Sequence, residues 1–140
     1  MELSGDQGLF MKIVRRELPA DIVYEDEKTL AFLSIGPNSK GHTLVIPKQP
    51  FRNIFDIDKE SLAAVMETVR IIAPSVRDAV GAKGVHIHSN HEPEAGQAVF
   101  HMHMHIIPRH DRSEFEFWPE QNYEEGEAAR VAEAIRTRLS

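Results

Sequence analysis

Residues 101–105 read His-Met-His-Met-His and run on into Ile106-Ile107-Pro108-Arg109. Strict alternation of two residue types is the period of a β-strand, whose successive side chains point to opposite faces. On a strand over Val99–Ile107, His101, His103 and His105 share one face while Met102, Met104 and Ile106 share the other. A sheet with one buried side has this pattern. Burying three neutral imidazoles without partners is costly. The pattern therefore asks for a use, which is a metal, a phosphate or a reaction.

The rest of the chain supplies the elements such a strand needs. Leu9, Phe10, Ile13 and Val14 fall at helical spacing within residues 8–17, ahead of Pro19. Ile22–Glu25 and Thr29–Leu33 flank an Asp-Glu-Lys turn and predict a hairpin. Gly36–Gly41 is turn chemistry, and His42–Ile46 is a strand halted by Pro47. Asp58 is a good N-cap, with Ile57 and Leu62 placed for a hydrophobic staple. Leu62, Val65, Met66, Val69, Ile72, Val76 and Val80 then form one apolar stripe ending at Gly81, and Pro74 is expected to kink or split that helix. Val85–Asn90 is a further strand, joined to Val99–Ile107 by Glu-Pro-Glu-Ala-Gly-Gln. From Glu124 to Leu139, Ala128, Val131, Ala132, Ile135 and Leu139 mark an amphipathic helix. Strands joined mostly by short turns, with one long helix inserted, predict an α+β fold on an antiparallel sheet. The 140 residues make one ordinary domain, 1–140.

Charge and composition narrow the chemistry. A net charge of −6 argues against broad electrostatic binding to nucleic acid or anionic membrane. A local phosphate site remains possible to build. The absence of cysteine excludes disulfides and thiolate metal sites. No apolar run has membrane-spanning length and the acidic N-terminus lacks a secretory pattern, so the expected location is cytoplasmic.

Two readings of the histidines compete at this point. A strand His-x-His can hold two corners of a zinc site, and His86 and His88 repeat the spacing on a neighbouring strand. However, no carboxylate stands two residues from any of the three, while Asn90, Gly96 and Gln97 offer amide donors nearby. Neutral amides and imidazoles suit an anion. Isolated histidines such as His91 and His110 are more simply structural.

Several stretches stand in a telling order: Phe10-Met11-Lys12-Ile13-Val14, Glu17-Leu18-Pro19-Ala20, Tyr24-Glu25-Asp26, Ala31-Phe32-Leu33, Gly41 to Lys48, Ala95-Gly96-Gln97, and His101 to Arg109. In that order the sequence resembles the histidine triad (HIT) nucleotide hydrolases and transferases along almost its whole length. The resemblance implies a five-stranded antiparallel sheet with one long helix and a C-terminal helix, assembled as a homodimer. It implies a purine nucleotide substrate and no obligatory cofactor, with a divalent ion accompanying a polyphosphate substrate at most. His103 would attack the α-phosphorus and form a nucleotidyl-histidine that water cleaves. His101 would orient the nucleophile, and His105 and His42 would donate to the phosphate oxygens. Asn90 and Gln97 match phosphate-contacting positions, with Gly96 and Ala98 in the same loop. Phe10, Ile13, Phe32 and Ile35 match the walls of a slot for the base, although plain core packing accounts for them equally well.

The sequence also departs from the family pattern. Ser34 stands where many members hold the ribose with Asp, and one hydroxyl is a less demanding partner than a carboxylate. Gly8, Met11 and Pro50 occupy positions that elsewhere bind structural zinc, so that metal is expected to be absent. Ala98 replaces a Ser or Thr that assists the leaving group. Asn90-His91-Glu92 replaces Asn-x-Gly and alters the expected loop. Pro93 to Gln97 is similar to the branch that splits dinucleoside polyphosphates, and Phe117-Trp118-Pro119 to relatives of the nucleoside phosphoramidases. The expected activity is hydrolysis at the α-phosphate of a nucleotide conjugate. The rival from another class is a regulatory protein that binds purine nucleotides without turnover, and a metal-dependent enzyme is third.

Overall fold

Alternating side chains sort this chain into a sheet with an apolar layer on each face. The computed structural model describes residues 3–139, with side-chain surroundings from residue 8 onward. In chain order the elements are α1 (Leu3–Val14), β1 (Ile22–Glu25), β2 (Thr29–Leu33), β3 (Thr43–Pro47), α2 (Lys59–Ala79), β4 (Gly84–His88), β5 (Met104–Arg109) and α3 (Glu127–Leu139). Short 3₁₀ turns lie at Pro93–Ala95 and Arg112–Glu114. The strands form one five-stranded antiparallel sheet ordered β1-β2-β3-β5-β4, the α+β architecture expected.

Leu30, Phe32, Leu44 and Ile46 pack with Phe10 and Ile13 of α1 on one face. On the other, Ala31, Val45, Met104 and Ile106 pack with Val65, Val69 and Ile72 of α2. Each fully buried aliphatic side chain contributes roughly 1.5–3 kcal/mol. The hydroxyls of Thr29 and Thr68 meet at 2.7 Å and tie β2 to α2 inside this core. Asp58 caps α2 as expected, accepting from the Ser61 backbone N–H at 2.7 Å. Ile57 and Leu62 both lie against the core there.

The histidine strand is shorter and later than the alternation predicts, because residues 99–103 lie outside the sheet. Loop groups bond this backbone instead of a neighbouring strand. Met102 N–H donates to the Phe51 carbonyl at 2.7 Å, Ser89 Oγ to the His103 carbonyl at 2.7 Å, and Gln97 Nε2 to the Val99 carbonyl at 3.1 Å. The two-sided pattern survives without the ladder. Met102 still joins the α2 core, while His101 and His103 lie against Phe10 of the α1 layer.

Other boundaries shift for local reasons. α1 stops at Val14 and does not reach residue 17, because Arg16 turns left-handed at φ 63°. Arg16 N–H then donates to the Ile13 carbonyl and Glu17 N–H to the Lys12 carbonyl, the Schellman pattern. Pro74 neither splits nor ends α2, for it sits on the solvent side where water can meet the carbonyl it leaves unbonded. β4 ends at His88, which leaves Asn90 in a loop. The C-terminal helix forms from Glu127, but Val131, Ile135 and Leu139 of its apolar stripe are exposed. Among the described residues, no helix is long and apolar enough to cross a membrane.

Candidate active site

Antiparallel register brings the histidines together. His105 of β5 lies opposite Leu44 of β3 and His88 of β4, and His42 immediately precedes β3. Ring centroids are 4.9 Å apart for His103 and His105, and 5.1 Å for His42 and His105. His88 stacks on His105 at 4.6 Å with only 14° between the planes. Phe10 meets His101 and His103 edge-on at 5.8 and 5.2 Å. His42, His101, His103 and His105 therefore form one cluster, and His88 is a fifth ring in it.

Backbone groups decide where each ring carries its proton. The Asn38 N–H can only donate, and it meets His42 Nδ1 at 3.0 Å. The proton of neutral His42 is then on Nε2, which donates to His105 Nδ1 at 2.9 Å. His105 in turn carries its proton on Nε2, which is buried without a partner. His101 Nε2 donates to the Pro47 carbonyl at 2.8 Å, and His103 Nδ1 to the His101 carbonyl at 2.6 Å. His103 Nε2 thus presents a bare lone pair, with no hydrogen bond to any described residue and without being sealed off. His101 Nδ1 is also bare, but it is sealed in the interior.

Burial keeps these rings uncharged. It pushes His42 down to about 4 and His105 to about 3, with smaller contributions from neighbouring rings. His101 and His103, 1% and 7% exposed, are also lowered by burial, against a raising effect of their carbonyl bonds. A cluster of neutral imidazoles offers one nucleophilic lone pair, and beside it one N–H donor is buried without a partner.

Beside the cluster, a loop is locked by its own side chains. Glu92 holds φ 84° and ψ 154°, a conformation that glycine adopts freely and other residues avoid. Arg52 grips both carboxylate oxygens of Glu92 at 2.9 Å, and Asn53 Nδ2 reaches the same group at 2.8 Å. Arg52, with Asn53 behind it, drives the Glu92 carboxyl down to about 2. Gln97 completes the lock. Its Nε2 donates to the Arg52 and Val99 carbonyls, and its Oε1 accepts from Asn53 Nδ2 and the Glu92 N–H. The Gln97 amide is saturated, so as placed it shapes the loop and has no donor left for phosphate.

The other expected site residues divide. Asn90 is half-buried past the end of β4, with Nδ2 on the Gly96 carbonyl at 3.4 Å. Gly96 takes φ 93° and Ala98 is exposed. Phe10, Ile13 and Phe32 are buried together in the α1 layer, with Phe10 also against the histidines. Ile35 is fully exposed and touches no part of that layer, contrary to the slot expected from it. Ser34 is half-buried, and its Oγ accepts from the Gly36 N–H at 3.2 Å. Both ring nitrogens of His42 are engaged as placed, Nδ1 by the Asn38 N–H and Nε2 by His105 Nδ1. Sequence reasoning named His88 only as a possible metal corner, and it missed Arg52 and Asn53. The only signal for the last two was a bulky Glu92 where the family pattern has glycine.

Comparison with known proteins identifies the family. The family model described as HIT domain matches residues 15–112. The Protein hit of Bacillus subtilis is 41% identical over 110 residues, 79% of this chain and 76% of that protein. The purine nucleoside phosphoramidase of Escherichia coli is 32% identical over 74% of this chain and 87% of its own. A crystal structure from Streptococcus mutans superposes with a TM-score of 0.88 at 39% identity, covering 94% of this chain and 85% of that one. The chain belongs to the HIT family.

Proposed function

We propose that this protein hydrolyses nucleotide conjugates at the α-phosphate through a nucleotidyl-histidine on His103. The observation that carries the reading is the proton arrangement: of the triad and His42, only His103 has a bare and unsealed Nε2. That lone pair forms an N–P bond as the bond from phosphorus to the leaving group breaks. The leaving group departs with the electron pair and takes a proton from solvent. The ring becomes cationic, and its Nδ1–H on the His101 carbonyl supports that charge. His105 Nε2–H has no partner but is as buried as His101 Nδ1, so it serves the oxyanion that develops on phosphorus only when substrate binding opens it. Water then breaks the N–P bond, which releases a nucleoside monophosphate and a proton and restores the neutral imidazole.

The relative from Escherichia coli, named a purine nucleoside phosphoramidase, supports the reaction class and a purine base. One observation favours the rival reading of a nucleotide-binding protein without turnover. Ala98 has no hydroxyl with which to assist a leaving group. We also infer a two-fold homodimer, supported by the free edge of β4 and by exposed Met66 and Ile71 on α2. A panel of adenosine conjugates with phosphoramidate, sulfate and polyphosphate leaving groups tests the main reading. Release of adenosine monophosphate from at least one, unaffected by chelator, is expected. Tight binding with no release from any would support the non-catalytic protein instead.

A further inference from the structure

In the sequence His91 is an isolated histidine, but its surroundings in the fold are fixed. Asp56 accepts from the Arg52 and Asn53 N–H groups, and Asn53 Oδ1 accepts from the Phe55 N–H. The amide between them, Ile54 N–H, donates to His91 Nδ1 at 2.9 Å. A backbone amide can only donate, so neutral His91 keeps its proton on Nε2. Phe55 meets the ring edge-on at 6.5 Å. Burial favours the neutral ring, and protonating Nδ1 would set two donors against each other. His91 Nε2–H is neither bonded to a described residue nor sealed.

The loop that carries this donor closes on itself. Gln97 N–H donates to the Glu92 carbonyl at 3.2 Å, and Glu92 N–H to Gln97 Oε1 at 2.8 Å. His91 and Ala98 are the residues immediately outside that pair. Ser89, two residues before His91, holds the His103 carbonyl at 2.7 Å. A charge on His91 opposes one on His103 more than His88 does, although His88 stacks on the adjoining His105. His91 therefore lies close to the nucleophile. Phe10 covers one flank of His103 and His105 adjoins another. The loop of His91 borders a third.

We propose that His91 is a further catalytic residue, whose Nε2–H hydrogen-bonds the departing atom as its bond to phosphorus breaks. Ala98, across the loop closure, has only a methyl group and no donor to offer. The step balances without a proton from His91. The departing atom takes the electron pair of the broken bond, His91 stabilises its charge and stays neutral, and solvent supplies the proton. Such a donor helps most where the departing atom is most basic, because that atom forms the stronger hydrogen bond. The assignment rests on attack by His103, and the test below separates the two.

The probes are aryl esters of adenosine monophosphate, from the good para-nitrophenyl leaving group to the poor phenyl one. His91→Phe keeps a flat ring against Phe55 but removes the donor. It should lower kcat/KM about tenfold or more for the phenyl ester and far less for the para-nitrophenyl ester. The dependence of rate on leaving-group basicity therefore steepens, which a merely structural role would not cause. His91→Gln can place an N–H near the position of Nε2 and should recover part of the loss. An equal loss across the series, or none, would overturn the role of His91 while leaving attack by His103 intact. No release by the unaltered protein, even from the para-nitrophenyl ester, would sink both. Nitrogen–proton NMR at neutral pH reads the tautomer without turnover. It should find the His91 proton on Nε2, and a proton on Nδ1 would also overturn the proposal.

Discussion

His42 Nε2 donates to His105 Nδ1 across 2.9 Å, and the Asn38 N–H on His42 Nδ1 leaves neutral His42 no other tautomer. One backbone amide thereby fixes the proton on His105 Nε2, two rings away, where it is buried without a partner. In the proposed mechanism His42 is a positioning residue. His42→Ala should lower kcat by about 10–100-fold with little change in KM, since binding does not depend on the tautomer of His105. His42→Asn can still donate to His105 and should recover part of the loss. A large rise in KM with kcat preserved would show that His42 binds substrate directly.

The buried neutral rings make stability depend on pH, with a definite sign. An unfolded histidine titrates near 6.5, whereas His42 is pushed down to about 4 and His105 to about 3. The unfolded chain therefore binds more protons below pH 6.5, and the native state is penalised there. This stabilisation is fully present above pH 6.5 and is lost as pH falls through about 4 and then 3. For His42 it is on the order of 3 kcal/mol. Urea midpoints measured between pH 7.5 and 4.5 should fall steadily, and His42→Gln should flatten that slope. A midpoint constant over this range would contradict the assigned burial.

The clamp on Glu92 yields an ordering of variants. Asn53 is 1% exposed, and its amide bonds Glu92, Gln97 and the Phe55 N–H. Asn53→Ala should cost about 1–3 kcal/mol through the partners it strands. Glu92→Gly removes the clamp but also relieves the φ 84° strain, whereas Glu92→Ala removes the clamp and keeps the strain. Glu92→Gly should therefore have the higher Tm of the two by scanning calorimetry. The reverse order would mean that the backbone at Glu92 is unstrained.

Much of the sheet could be read from the sequence, because its signals are local. The hairpin of β1 and β2 falls where the Asp-Glu-Lys turn puts it, and Asp58 announces α2 by its own side chain. The strand over Val99–Ile107 was misplaced because alternation reports which face a side chain takes. It does not report which backbone partner the chain finds, and Met102 found Phe51. The left-handed Arg16 gave no glycine to signal the end of α1. At the site, the four histidines were visible as residues but their protons were not. Asn38, Pro47 and His101 set them through backbone atoms, which carry no sequence signal. The bond from Arg52 to Glu92 spans 40 positions, beyond any local pattern.

Assembly can be tested without substrate. The apolar faces of α2 and α3 are exposed at Met66, Ile71, Ile135 and Leu139, and β4 is an open sheet edge. Light scattering at micromolar concentration should give about twice the 15.9 kDa chain mass. A clean monomer under those conditions would remove the dimer from the account.

The nucleophile assignment is tested most directly by rapid acid quench during turnover of a labelled adenosine phosphoramidate. The unaltered protein should carry an acid-labile adenylyl group on His103, located by mass spectrometry after rapid digestion. His103→Ala should form no adduct and lose essentially all turnover, while it keeps affinity for adenosine monophosphate within a modest factor. An adduct on another histidine, or near-normal turnover by His103→Ala, would contradict the account at its centre.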